Sequence, residues 1–198
     1  AIKELGIHVI ADLVHHTAAP VAVLGEDFFA SPNLAPWLEE YALAVLERYG
    51  STVQGVTVFN EPYLTTQFCG ELGIWYPFRR GSQHFVEMLL NVAVAMTRAS
   101  RAIRKYFPEV ELVHVGTCET HAAGDPTNEA AVKWARFLNR RRFIVDDLIG
   151  GKVDEHHPLY HYLIQHGGSE KVLRWLQEHG ARPHVRGLDY YRQSEWNW

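Results

Sequence analysis

The residues best suited to chemistry are an amide and a carboxylate side by side, Asn60 and Glu61, directly before Pro62. A carboxyl group can move a proton to or from a substrate, and a neighbouring amide can bind a hydroxyl group. The residues before them, 56–59, are β-branched or aromatic, which is typical of a strand buried on both faces. Because proline cannot continue a central strand, we predict that the strand stops before Pro62. Its carboxyl end would then hold both polar side chains, and parallel α/β folds build their sites at such ends.

The elements that must position these residues alternate between strand and helix along the chain. Capping residues and glycines mark the helix ends, and a polar or aromatic cluster follows each predicted strand. This alternation of strands and helices predicts an α/β fold made of four βα units around a parallel sheet. The units are expected to form a single domain over residues 1–198. The region 63–82 is predicted as a packed aromatic loop. The strands are predicted at 7–14, 56–59, 111–116 and 185–191, and the helices at about 31–50, 82–106, 129–148, 158–166 and 169–179.

The composition is that of an ordinary globular protein, with 198 residues, 47% hydrophobic and 21% charged. The net charge is −4 and no basic block occurs, so nucleic acid and anionic membranes are not expected as partners. No apolar run reaches the roughly 18–20 residues of a membrane span. The two cysteines, Cys69 and Cys118, are too few for a disulfide framework, which favours a reducing, cytoplasmic location.

With these residues in view, the chain resembles family 1 of the glycoside hydrolases, the β-glucosidase family, whose fold is an eight-stranded (β/α)8 TIM barrel. The strongest match is residues 57–62, Thr-Val-Phe-Asn-Glu-Pro, which is similar to the family's fourth-strand motif Thr-Phe-Asn-Glu-Pro. The resemblance covers the third to sixth βα units and implies a partial TIM barrel, its central four βα units. It implies that Glu61 is the general acid/base and that Asn60 binds the sugar 2-hydroxyl.

Two further strand ends carry the resemblance. Residues 14–20 are similar to the third-strand motif, and aligning the proline places the sugar-contacting histidine on His16, with Thr17 where the family usually has an aromatic residue. Residues 187–191, Gly-Leu-Asp-Tyr-Tyr, are similar to the sixth-strand motif Gly-Ile-Asn-Tyr-Tyr. The resemblance gives Tyr191 the role of orienting the nucleophile, and Asp189 stands where the family usually has asparagine.

Other candidates come from the residues themselves. Glu119 follows the strand predicted at 111–116 and is expected to reach the cleft as a specificity residue, although a plain loop charge is equally compatible. Trp196, with Trp75 and Trp198, is a candidate platform for stacking on a sugar ring, and loop packing is the alternative for Trp75. Alternation along a strand predicts that His15 and His16 point to opposite faces and that Tyr190 packs in the core.

One part of the family's machinery does not occur in the sequence. The nucleophile motif Thr-Glu-Asn-Gly is not found in residues 1–198. The resemblance as a whole implies a retaining β-glycosidase that acts on O-glycosides in carbohydrate metabolism. Its substrate would be a carbohydrate, and no cofactor and no metal are expected. The chain would be an internal fragment, completed by barrel strands from the parent chain or another copy. Alone it is expected to be inactive, with Glu61 lacking the second carboxylate that would raise its pKa.

Two alternatives remain open on the sequence. A degenerate barrel could bind carbohydrate without cleaving it. A metal-dependent barrel hydrolase could use His16, Glu119, His121 and His157. For Glu61 itself, the alternative to a catalytic role is a carboxylate that caps the next helix or is simply exposed.

Overall fold

A parallel four-stranded sheet organises the computed structural model, which describes residues 2–16, 28–192 and 194–198. Four strands lie side by side in the order β1 (Ile10–Asp12), β2 (Gly55–Thr57), β3 (Glu111–Thr117) and β5 (Val185–Asp189). The register pairs residue 10 with 55, 56 with 112, and 117 with 189. All four carboxyl ends therefore lie along one edge of the sheet, which confirms the predicted parallel arrangement. The strands are β1 (Ile10–Asp12), β2 (Gly55–Thr57), β3 (Glu111–Thr117), β4 (Thr120–Ala122), β5 (Val185–Asp189) and β6 (Glu195–Asn197).

Helices pack against the sheet, and the longest of them, α3 (Ser82–Tyr106), contributes more buried residues to the core than any other described helix. This helix has 25 residues, its buried side chains recur at helical spacing from Phe85 to Ile103, and it packs along α1 (Leu34–Tyr49). No described helix is both long enough and apolar enough to cross a membrane. The helices are α1 (Leu34–Tyr49), α2 (Pro62–Thr66), α3 (Ser82–Tyr106), α4 (Glu129–Arg141), α5 (Ile144–Ile149), α6 (Tyr160–Gln165) and α7 (Glu170–His179), with short 3-10 turns at Lys3–Leu5 and Phe28–Ala30.

Two predicted elements differ from the structure. The aromatic loop expected at 63–82 begins with helix α2 and a π-helical turn, Gln67–Glu71, because Pro62 starts a helix as readily as it ends a strand. The helix expected from 129 to about 148 is divided in two. Asn128 caps its start, but the backbone at Phe143 bonds back only three residues to Arg140, and this tight turn redirects the chain so that α5 buries its apolar face.

A second, small parallel sheet joins β4 to β6 and was not predicted. Each of its strands has three residues of mixed polarity, so no apolar alternation marks them in the sequence. Backbone bonds extend the pairing at both ends, from Thr120 N to Ser194 O and from Trp198 N to Ala122 O. This sheet lies beyond the carboxyl ends of β3 and β5 and brings Trp196 next to the segment that contains Glu119.

Both outer strands of the main sheet are paired on one side only within the described residues. Large apolar side chains are exposed along them, Ile10 on β1 and Val185 and Leu188 on β5. An unpaired strand edge offers backbone donors and acceptors to another strand. These two edges are therefore surfaces onto which further strands can be added.

A buried polar group lies between the sheet and helix α5. His114 of β3 is 3% exposed, and its Nε2 lies 3.7 Å from Asp146 Oδ1. Arg186 of β5 forms an ion pair with the same carboxylate. Burial, followed by the positive charge of Arg186, lowers the pKa of His114 from 6.5 to about 4.

This lowered pKa predicts a loss of stability in mild acid. Below pH 6.5 the unfolded chain takes up a proton on His114 that the folded chain does not take up until about pH 4. Between pH 6.5 and 5 the free energy of unfolding should therefore fall by about 2 kcal/mol through this group. Urea unfolding of the wild type and His114→Gln at both pH values measures the difference.

The wild type must be compared with variants, because Glu61 also titrates in this pH range. Its raised pKa makes the free energy of unfolding rise as the pH falls, which opposes the effect of His114. The matched control is His156→Gln, whose side chain is 85% exposed in the wild type. An equal pH dependence in the wild type and His114→Gln would contradict the prediction.

Candidate active site at the carboxyl edge of the sheet

The backbone after β2 holds Asn60 and Glu61 between the two neighbouring strands. Asn60 N donates to Val14 O at 2.9 Å, and Glu61 N donates to Val115 O at 3.0 Å. Glu61 lies in the left-handed region, with φ 43° and ψ 54°. A non-glycine residue pays roughly 1–2 kcal/mol for that conformation, and such strain concentrates at functional sites. The predicted placement of both side chains at the end of a strand is confirmed.

The Glu61 side chain is buried and contacts two groups from distant parts of the chain. It is 1% exposed, its Oε1 accepts a hydrogen bond from the Tyr191 hydroxyl at 3.2 Å, and its Oε2 lies 3.1 Å from His16 Nε2. Although Glu61 precedes helix α2, its side chain makes no capping bond. The helix-capping alternative is therefore wrong, and the structure brings three sequence-predicted residues together.

His16 is held from several sides. Its Nδ1 lies 3.1 Å from Thr65 Oγ1, Asn60 Nδ2 lies 3.3 Å from its Nε2, and its ring meets the edge of Trp75 at 5.1 Å. Burial, and then the neighbouring His15, lower the pKa of His16 below 6.5, so the ring is neutral at pH 7.

The neutral His16 ring lies between the Glu61 carboxyl group and the Thr65 hydroxyl group, and it can hydrogen-bond to both whether Glu61 is protonated or ionised. When Glu61 is protonated, it donates to Nε2 and Nδ1–H donates to Thr65. When Glu61 is ionised, Nε2–H donates to it and the Thr65 hydroxyl donates to Nδ1. The contacts of His16 with Glu61 and Thr65 therefore persist in both states, whereas Nε2 can accept a hydrogen bond from the Asn60 amide only when it carries no proton. Thr65 was not predicted as a site residue, because no motif in the sequence around it indicates one.

The pKa of Glu61 is raised from 4.5 to about 7. Burial is the largest cause, followed by the negative charge of Asp189 and a hydrogen bond with its side chain. The hydrogen bond from Tyr191 and the charge of His15 act in the opposite direction. The expectation that Glu61 would lack a partner that raises its pKa is therefore wrong, since Asp189 takes that place within this chain.

The strand alternation expected at two positions does not hold. The His15 and His16 rings contact each other, with centroids 4.6 Å apart, because β1 ends at Asp12 and His16 has φ 53°. His15 Nδ1 lies 2.5 Å from Asp12 Oδ2. Tyr190, expected in the core, is 62% exposed and donates to Glu195 Oε1. The third-strand residues from Thr17 to Pro20 lie outside the described part of the chain.

Glu119 and Trp196 belong to a separate open cavity of about 430 Å³. Its lining does not include Glu61, His16, Asn60 or Tyr191. Apolar side chains form most of its wall, and four of them are aromatic. Trp75 connects the two places, since its ring contacts both His16 and Phe68. The lining includes Phe68, Glu119, His121, Trp134, Trp196 and Trp198.

Within this cavity Glu119 is a half-buried acid. Its Oε2 lies 3.6 Å from His121 Nε2. Burial raises the pKa of Glu119, and the charges of Arg142 and Arg141 oppose the rise. Trp198 Nε1 donates to His121 Nδ1 at 3.1 Å, which fixes the histidine against the aromatic wall.

The residues proposed for a metal are not brought together. His16 lies against Glu61, Glu119 against His121, and His157 3.3 Å from Asp147. Over residues 2–16, 28–192 and 194–198, no group of three or more His, Cys, Asp or Glu is placed to hold a metal ion.

A parallel sheet packed against helices, with a buried polar cluster at the carboxyl ends of its strands, is typical of part of a (β/α) barrel. The particular family follows from a sequence comparison. The model of glycosyl hydrolase family 1 matches residues 1–165, and the chain belongs to this family.

Individual relatives agree with this assignment. A β-glucosidase of Agrobacterium sp. is 27% identical over 108 residues, a match that covers 54% of this chain and 23% of that protein. The structure of a Thermotoga maritima β-glucosidase in complex with cyclophellitol has a TM-score of 0.81 and 19% identity, covering 96% of this chain and 42% of that one. The family 1 β-glucosidase structure of the same organism also has a TM-score of 0.81, with 20% identity. The chain thus spans less than half the length of these relatives, and its fold is a partial TIM barrel.

Proposed function

We propose that the protein is a retaining β-glycosidase that hydrolyses O-glycosyl bonds in carbohydrate metabolism. Glu61 is its general acid/base, and the nucleophile lies outside residues 1–198. One observation carries the proposal in a chain of this family, namely a carboxyl group that is 1% exposed, lies at the carboxyl edge of a parallel sheet and has a pKa of about 7. Retaining hydrolysis needs a carboxyl group that is an acid in one step and a base in the next.

The chemistry assigned to Glu61 follows from its proton. In the first step the protonated carboxyl group donates to the glycosidic oxygen as the bond to the sugar breaks. In the second step the ionised carboxylate takes a proton from the water that releases the sugar from the nucleophile. A pKa near the working pH allows both forms to be populated, which favours general acid–base catalysis.

Five further residues are proposed to bind the substrate or to position Glu61. Asn60 and His16 would contact sugar hydroxyl groups, because His16 Nε2 lies 3.1 Å from the Glu61 carboxyl group and the Asn60 amide nitrogen lies 3.3 Å from His16 Nε2. Tyr191 would hold the acid/base, a role supported by its 3.2 Å hydrogen bond. We propose that the aromatic cavity with Trp196 and Glu119 receives the leaving-group side of the substrate, since it adjoins His16 through Trp75.

The proposed partner in the protein itself is the rest of an eight-stranded barrel. The unpaired edges of β1 and β5 and their exposed apolar side chains support this proposal. Cytoplasmic location is part of the same proposal and is supported by the free thiols of Cys69 and Cys118.

A second candidate function is carbohydrate binding without cleavage. It is favoured by one observation, since the motif Thr-Glu-Asn-Gly does not occur in residues 1–198. The two functions are separated by assaying the full-length gene product on aryl β-glucosides, with sugar binding measured in parallel by calorimetry. Hydrolysis with retention of the anomeric configuration supports the first function, whereas binding without turnover supports the second.

Residues 1–198 alone are expected to show little or no hydrolysis of the same substrates. The physical reason is that the acid/base acts together with a nucleophile about 5 Å away on the other side of the scissile bond. The measurement is aryl β-glucoside turnover by the purified 198-residue chain, with the full-length protein as the positive control. Turnover comparable to that of the full-length protein would contradict the assignment of the nucleophile to another part of the barrel.

A further inference from the structure

The His16 ring connects the acid/base to the buried hydroxyl group of Thr65. We propose that Thr65 is a positioning residue, whose hydroxyl group holds the His16 ring so that Nε2 faces the Glu61 carboxyl group. The proposal deepens the proposed function, on which its catalytic consequence rests. The contact itself can be measured in a protein without activity.

Three polar groups form a continuous chain from the carboxyl group into the protein. Glu61 Oε2 lies 3.1 Å from His16 Nε2, and His16 Nδ1 lies 3.1 Å from Thr65 Oγ1. Both distances are within the range of a hydrogen bond. Thr65 therefore contacts the ring nitrogen that points away from Glu61, and it acts on the acid/base through His16.

The local backbone explains why one ring can reach both groups. Thr65 N donates to Glu61 O at 2.9 Å, which closes the first turn of α2. Residues four apart across a helical turn lie on the same side, so the Thr65 side chain comes next to that of Glu61. His16 arrives from the segment after β1 and places its ring against both.

The contact with Thr65 selects one orientation of the ring. Rotation of the imidazole by 180° would put carbon atoms where the two nitrogens now lie, and both the hydroxyl and the carboxyl group would lose this partner. The ring also meets Trp75 and His15, with centroids 5.1 and 4.6 Å away, but such contacts limit its position without distinguishing nitrogen from carbon strongly. The hydrogen bonds at both nitrogens therefore fix the orientation of the His16 ring.

Burial decides which role Thr65 can have. A hydroxyl, an imidazole and a carboxyl group in this order are also the groups of a hydrolase that uses a hydroxyl nucleophile. Thr65 is 0% exposed, so a substrate cannot reach its oxygen, and a positioning role is left. The same burial makes the bond costly to lose, because water cannot replace the hydroxyl group at the ring nitrogen.

The test is a 15N NMR spectrum of the full-length protein with labelled histidine, recorded at about pH 8.5, above the pKa of about 7 of Glu61. His16 is identified by the signals that disappear in His16→Gln. In the wild type, Nε2 should carry the proton and Nδ1 should accept a hydrogen bond. In Thr65→Val, which keeps the size of the side chain but lacks the hydroxyl group, the Nδ1 signal should move downfield. Thr65→Ser should restore it.

The matched control is the neighbouring Thr66, which is also 0% exposed and lies in the same helix. Its Oγ1 donates to the carbonyl oxygens of Pro62 and Tyr63, at 2.8 and 3.0 Å. Thr66→Val removes a buried hydroxyl group of the same kind, and the His16 signals should not move.

Two results would overturn the proposal. One is an equal His16 Nδ1 signal in the wild type and Thr65→Val. The other is a crystal structure of the wild type in which Thr65 Oγ1 lies beyond hydrogen-bonding distance of His16 Nδ1, and this measurement decides even if Thr65→Val does not fold.

Activity separates this inference from the proposed function. In an active full-length protein, Thr65→Val should lower kcat/KM on alkyl β-glucosides by about 10–100-fold, because small misplacements at a reacting centre have effects of this size. Thr65→Ser should recover most of this loss, and Thr66→Val should show little of it. A protein that shows the NMR shift but never cleaves glycosides would support the contact and remove the function. An active enzyme whose kcat/KM is unchanged in Thr65→Val would remove the positioning role and keep the function.

Discussion

Glu61→Gln is expected to lower kcat/KM of the full-length protein on β-glucosides with poor leaving groups by about 10²–10⁴-fold. Glutamine keeps the size and the hydrogen-bonding capacity of the side chain but cannot transfer a proton. General acid–base catalysis is worth roughly that factor. The loss should be largest for alkyl glucosides, whose leaving group must be protonated as it departs.

The dependence on the leaving group gives this prediction its control. An aryl glucoside whose phenol is strongly acidic needs little protonation, so bond cleavage itself should be affected much less in Glu61→Gln. The matched control variant is Glu109→Gln, because Glu109 is exposed in the turn before β3 and far from the sheet's carboxyl edge. Equal activity of Glu61→Gln and Glu109→Gln on an alkyl glucoside would rule out the assignment of Glu61 as acid/base.

Arg141→Ala is expected to reduce the free energy of unfolding by about 3–5 kcal/mol, the range seen when one partner of a buried ion pair is removed. Arg141 is 2% exposed, and its two terminal nitrogens donate to both oxygens of Glu71, at 2.6 and 2.7 Å. The substitution would leave the Glu71 carboxylate, 15% exposed, without its positive partner.

The side chain of Arg141 also joins several elements. It donates to the hydroxyls of Tyr63 and Tyr162, both at 3.0 Å, and its guanidinium lies 4.9 Å from the centre of the Phe85 ring. These contacts connect α4 to α2, α3 and α6 around the π-helical turn. Loss of Arg141 therefore breaks contacts to four neighbouring elements at once.

The neighbouring arginine is the control for this second prediction. Arg140 is exposed on the same helix, so Arg140→Ala should change stability by no more than about 0.5 kcal/mol. Urea unfolding of both variants and of Arg141→Ala/Glu71→Gln measures the effect. The double variant should recover part of the loss, because the unpaired carboxylate is gone. If Arg141→Ala unfolds at the same urea concentration as Arg140→Ala, the buried pair is not a determinant of stability.

The predictions made from sequence succeeded where the signal is local. The run from 56 to 59 and Pro62 predicted a buried strand that stops before Glu61, and the structure ends β2 at Thr57 and starts α2 at Pro62. The helix expected at 82–106 is present as Ser82–Tyr106, because its apolar side chains recur every three or four residues. The strands of the small sheet were missed, since three residues are too few to show a period.

The sequence by itself determined the βα order, the family and the position of Glu61 at a strand end, because each depends on residues that are adjacent or regularly spaced. Only the tertiary structure decided which groups surround that carboxyl group. Tyr191, whose hydroxyl contacts Glu61, is 130 residues away along the chain. The pairing of β5 with β3 brings Asp189, whose negative charge raises the pKa of Glu61, to the same edge of the sheet. The structure likewise placed Glu119 and Trp196 in a neighbouring cavity. Burial and the charge of a distant residue shift a pKa through space, and neither leaves a mark in the sequence near Glu61.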